Sequence, residues 1–118
     1  MEYMLLIHAD PVGLQALREA ERSTALAAYG AYTQALQTAG VARGGNRLRN
    51  ADVTTTVRVR DGKTEVLNGP FIETREQLGG YYLIDVPDLD SALSWAARCP
   101  GASHGAVEVR PIWAMDES

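Results

Sequence analysis

The chain has 118 residues, 46% hydrophobic and 22% charged, with a formal net charge of -4. That balance excludes a disordered chain, and the length suits one domain over residues 1–118 that buries about two thirds of the surface its unfolded form would expose. Ten of the eleven basic residues are arginines scattered from Arg18 to Arg110 without a run, so a phosphate-tracking patch would have to be assembled by folding alone and direct nucleic-acid binding is not expected.

Tyr3 to His8 is apolar on both faces and precedes Asp10-Pro11, as in a central strand covered on each side. The opening Met1-Glu2-Tyr3 has no basic stretch and the apolar run ends at Ile7, so neither a signal peptide nor a membrane span is expected. From Leu14 to Ala39 the spacing turns helical, with Ala25, Ala28, Tyr29, Tyr32, Ala35, Leu36 and Ala39 on one arc. Gly40 ends that helix. Ala42 to Arg49 carries Gly44-Gly45 and reads as a short irregular strand.

Thr54 to Leu67 holds two β-prone runs joined by Asp61-Gly62, the pair that a two-residue hairpin turn favours. Counting outward places Arg58 opposite Glu65 and Val57 opposite Val66. The stretch from Asn68 to Tyr82 follows as a tightly specified loop, framed by Asn68-Gly69-Pro70 and Gly79-Gly80, with Phe71, Glu73, Arg75 and Glu76 between. Such a loop suits the rim of a small polar ligand site, and a solvated loop is the plain alternative.

Tyr81 to Val86 is a further apolar strand, and Asp88 is suited to cap the helix that Leu89, Ala92, Leu93, Ala96 and Ala97 mark. Pro100 and Gly101 end it, and Ala106 to Trp113 closes the chain as a strand. Cys99 is the single cysteine, which rules out an internal disulfide, suits a cytoplasmic protein and fits a small apolar side chain at a helix end. The order predicts an α+β fold, a ferredoxin-like βαββαβ core with an inserted β-hairpin, whose helices cover one sheet face. The bare face would expose Met4 and Leu6, so a homodimer with sheets face to face is expected.

Tyr3-Met4-Leu5-Leu6-Ile7, Ala28-Tyr29-Gly30-Ala31-Tyr32, Val57 to Lys63, Asn68-Gly69-Pro70-Phe71 with Glu73 to Gly80, and Val107 to Ile112 together resemble the DGPF branch of the YCII-related proteins. The resemblance implies a dimeric α+β barrel. It implies small-molecule enzymes in the wider family, one kind being a lyase that eliminates chloride, with a His and Asp pair in a cleft. Members of the branch are also associated with alternative sigma factors, which implies a non-catalytic ligand-sensing or partner-binding dimer as the other reading. Two departures stand out. The first helix carries no histidine, and Asn68 stands where the signature has aspartate, an amide that hydrogen-bonds but cannot be a carboxylate base.

Alternation along the strands places Glu108, Arg110, Asp85 and His8 on the face away from the helices. Either Glu108 and Arg110 form a structural ion pair, or the group awaits a ligand. In the functional reading His8 is the general acid or base with Glu108 beside it, while Asn68, Phe71, Arg75 and Arg110 hold a small anionic metabolite. His8 bonded to a loop is the plain alternative. His8, His104 and Asp10 lack metal-ligand spacing, so no metal and no cofactor are expected.

Overall fold

The computed structural model describes residues 1–116. Its strands are β1 (Glu2–Ala9), β2 (Ala42–Arg47), β3 (Thr55–Arg60), β4 (Lys63–Asn68), β5 (Gln77–Asp85) and β6 (Ala106–Pro111). Its helices are α1 (Pro11–Gln15), α2 (Glu19–Thr38) and α3 (Leu89–Arg98). The main sheet is antiparallel in the order β2-β5-β1-β6, the ferredoxin-like arrangement, and β3-β4 form a separate hairpin.

Strand alternation decides which side chains make the core. Tyr3, Leu5 and Ile7 of β1 and Ile84 of β5 are buried under the helices, joined by Tyr32 and Leu36 of α2 and Ala92 and Ala96 of α3. Tyr32 meets Tyr82 edge-on at 5.3 Å between ring centroids and donates its hydroxyl to the Trp95 carbonyl at 2.7 Å, so the polar end of a buried ring is satisfied. Met4, Leu6 and His8 of β1 point to the other face, where no helix lies, and they remain half-exposed. Among the described residues, none supplies the second covering that the apolarity of β1 calls for.

The helical region differs from the continuous helix expected over residues 14–39. Asp10 starts α1 by accepting the Val12 amide at 2.9 Å, and the chain leaves the helix before Arg18. The Glu21 carboxylate then accepts the Arg18 amide at 3.4 Å, and Glu19 and Glu21 favour the positive end of α2. In α3, Asp88 caps as expected, its carboxylate accepting the Ser91 amide at 2.8 Å. The buried stripe is rotated from the predicted one. Leu89 and Leu93 are exposed, and the small Ala92, Ala96 and Cys99 face the sheet, which lets the helix lie close to it.

The hairpin has the expected register, with Val57 opposite Val66 and Arg58 opposite Glu65. Asp61 and Gly62 both take positive φ, 51° and 77°, as its two-residue turn requires. The expected loop is shorter than predicted because β5 begins at Gln77, drawing Gly79 and Gly80 into the sheet. Gly80 belongs there for a steric reason: a side chain on it would press on the Asn46 carbonyl of β2.

Candidate functional site

Glu108 of β6 stands opposite Leu6, two residues along the same face from His8. That diagonal brings His8 Nε2 to 3.1 Å from Glu108 Oε1, with both side chains partly open to solvent, 29% and 49% exposed. A carboxylate can only accept, so in the tautomer that hydrogen-bonds an ionised Glu108 the donor is Nε2 and the free nitrogen is Nδ1. Gly105 permits this approach. A methyl group there would be driven into the His8 carbonyl oxygen, pushing β6 away from β1.

Arg110 lies on the same face, its Nε 3.9 Å from the other oxygen of Glu108. The expected Glu108 and Arg110 pair therefore exists together with the His8 contact, in one row. At 68% exposure for Arg110 such a contact is worth little to stability, and its guanidinium remains accessible to an anion. Asp85 lies on the open face as alternation expects, but apart from His8 and Glu108. It pairs with Glu2 at the far end of β1, and the N-terminal ammonium holds it at 3.0 Å, with Arg43 at 3.6 Å. The ammonium foremost, and then Arg43, hold its carboxyl below the usual carboxylate range.

A cleft of about 630 Å³ opens next to the end of β1, between Pro11, the Asn50–Asp52 connection and the loop from Asn68 to Gln77. Asn68 and Arg75 line it, as does Glu73. Hydrogen bonds hold the Gly69 backbone in the wall, from its amide to Thr54 O at 2.7 Å and from Thr56 Oγ1 to its carbonyl at 2.8 Å. Phe71 lies outside the lining, beneath the Arg58 guanidinium at 4.7 Å from the ring centroid, and so fastens the loop to the hairpin.

Asp10 is the residue that sequence reasoning did not assign to the site. Its Oδ2 accepts from Arg75 Nε at 3.2 Å while Oδ1 accepts the Val12 amide. The Val12 amide foremost, with Arg75 second, keeps the Asp10 carboxyl below its ordinary range. The signal available was Asp10-Pro11 directly after a strand, a helix start whose carboxylate is fixed near the strand end that carries His8. Among the described residues no group of three or more His, Cys, Asp or Glu could hold a metal ion, and no helix is long and apolar enough to cross a membrane.

The model of the YCII-related domain matches residues 1–116. The chain belongs to the YCII-related family. This family member is 47% identical over 68 residues to an uncharacterised protein of Rhizobium meliloti (strain 1021), a match covering 56% of this chain and 55% of that one. The match therefore spans about half the length of that relative. Its fold is similar to that of the 5-chloro-2-hydroxyhydroquinone dehydrochlorinase TftG from Burkholderia phenoliruptrix AC1100, solved in complex with 2,5-dihydroxybenzoquinone. The TM-score is 0.58 at 16% identity, over 96% of this chain and 94% of that one. At that identity the likeness speaks for the fold. The association with sigma factors gains no support from the family model or from either protein.

Proposed function

We propose that this YCII-related protein, one domain of the DGPF branch acting in the cytoplasm, is a homodimer that binds a small anionic metabolite and moves a proton on it in a lyase-type step. The observation that carries the reading is the contact between His8 Nε2 and Glu108 Oε1 at 3.1 Å in a partly open setting. With Nε2 occupied, His8 takes a proton from the ligand at Nδ1, and Glu108 stabilises the imidazolium that forms. Arg110 and Arg75 attract the ligand's negative charge, and the Asn68 amide offers a donor to a ligand oxygen. The fold shared with a dehydrochlorinase that holds a dihydroxybenzoquinone supports looking first at hydroxylated ring compounds and unsaturated acids.

A thermal-shift screen of small carboxylates, muconate-like acids and hydroxylated quinones tests this. A ligand that binds the native state alone raises the melting temperature. The expected outcome is a hit that Arg75→Ala or Arg110→Ala abolishes, with turnover that His8→Ala lowers by about 10²–10⁴-fold, the usual contribution of a positioned acid or base. Turnover unchanged by His8→Ala would remove the assigned role.

A further inference from the structure

The open sheet face carries a phenol that the site described above does not use. Tyr81 of β5 stands directly opposite Leu6 of β1, and Leu6 stands opposite Glu108 of β6. Residues directly opposite one another in antiparallel strands share a face, so Tyr81, Leu6 and Glu108 form one row across the sheet. His8 is two residues along β1 from Leu6, which makes it diagonal to Glu108 on one side and to Tyr81 on the other. Diagonal neighbours lie about 7–8 Å apart, within reach of long side chains. The first of these diagonals is the one closed by the 3.1 Å contact between His8 and Glu108, and the second is open.

Hydrogen-bond accounting leaves this phenol with a donor to spare. Asn46 of β2 stands opposite Tyr81, and its amide nitrogen donates to Tyr81 Oη at 2.9 Å. A phenol both accepts and donates. Here the oxygen accepts, and its own hydrogen meets no acceptor among the described residues. The helix-facing Tyr32, by contrast, spends its hydrogen on the Trp95 carbonyl. Gly45 lets the pairing form, because a Cβ there would come to 2.8 Å from the Tyr81 carbonyl oxygen and push β2 off β5, taking Asn46 with it. The half-exposed phenol is thus held in place from the β2 side, with its donor unspent.

We infer that Tyr81 is the neutral donor to the ligand oxygen on which negative charge develops when His8 takes a proton, and that Asn46 is the positioning residue that fixes its hydroxyl. This deepens the acid and base reading of the site and rests on it. The ligand lies over Leu6, between the His8 and Glu108 pair and the phenol. The proton passes from the ligand to His8, the electron pair left behind moves onto the ligand oxygen, and Tyr81 keeps its own proton while donating a hydrogen bond. Arg110 and Arg75 attract a ligand that is already charged, before and during the step alike, whereas a neutral donor binds more strongly as the charge appears. The ligand class follows from this chemistry: a phenol, or a carbonyl compound that enolises.

Two probes of one ring test the assignment, para-nitrophenol at a pH where it is the coloured phenolate, and para-nitroanisole, whose oxygen is methylated and uncharged. Each is titrated into the unsubstituted chain, Tyr81→Phe, Asn46→Ala and Tyr81→Phe/Asn46→Ala. Loss of one hydrogen bond to a charged group is expected to weaken phenolate binding to Tyr81→Phe by about 10–100-fold and nitroanisole binding by less than about twofold. Asn46→Ala is expected to weaken the phenolate less, and to add nothing once the phenol is gone, since it acts through Tyr81. Phenolate bound alike with and without the Tyr81 hydroxyl, or not bound by the unsubstituted chain, overturns the donor. An Asn46→Ala loss that adds in full to that of Tyr81→Phe overturns the positioning role. Repeating the series in His8→Ala separates this inference from the reading beneath it. Tyr81 dependence retained there, with no turnover by any chain, keeps the donor and removes the acid and base role of His8. Turnover that His8→Ala lowers and Tyr81→Phe does not removes the donor and keeps that role.

Discussion

Individual side chains divide between the buried side of the sheet, where they are held for stability, and the open side, where they are available. Tyr29 illustrates the first. Its ring packs against the core and its hydroxyl stands over Gly101, and burial foremost pushes its pKa up to about 12. A tyrosine in the unfolded chain ionises near pH 10, so above that pH the unfolded form sheds a proton that the folded form still holds. The contribution of Tyr29 to stability is full below pH 10 and is lost as pH rises towards 12. Melting temperatures measured across that range should fall steeply in the parent and less steeply in Tyr29→Phe. Tyr32 is pushed up by burial as well, so Tyr29→Phe/Tyr32→Phe should flatten the curve further. An identical slope in all three would remove buried phenols as the cause. On the open side, alternation alone put His8, Glu108 and Arg110 on one face, and they are there. The Asp10 and Arg75 contact was not legible, because 65 residues separate the partners and no period links a strand end to a distant loop.

Elements were readable where their signal was local. The Asp61-Gly62 turn determines the hairpin register residue by residue, and Asp88 announces α3. The break between α1 and α2 was hidden because no glycine or proline stands at residues 16–18; it comes from capping by Asp10 and Glu21. The buried arc of α2 was also shorter than its apolar spacing suggests. Of the predicted arc Tyr32 and Leu36 are buried and Ala28 is exposed, while Leu26, which lies off that arc, is 58% exposed. Leu36→Ala leaves a cavity in the core cluster that also holds Leu5 and Ile84 and should cost about 2–5 kcal/mol in urea unfolding. Leu26→Ala should stay within about 0.5 kcal/mol, as surface changes do. A comparable large loss at both positions would mean that the first half of α2 is packed against something in solution, which a partner would have to provide.

At the scale of the whole molecule, the sequence carried a hint of assembly in the two-sided apolarity of β1, and the exposed surface adds a reason of a different kind. A small buried core, Tyr3, Leu5, Ile7, Tyr32, Leu36, Ile84, Val86, Ala92, Ala96 and Cys99, must hold together a chain with 8518 Å² of surface. Small domains with so much surface gain stability from what they bury against another copy. If the native state is a dimer that unfolds to separate chains, mass action ties its stability to concentration. Raising the protein concentration a hundredfold should therefore raise the melting temperature by several degrees, since unfolding one dimer releases two chains. Met4→Glu/Leu6→Glu, which sets charges on the open sheet face, should melt lower and at a temperature independent of concentration. A parent whose melting temperature does not move with concentration would mean that the open sheet face is stable in water without a second copy, and the homodimer would fall with it.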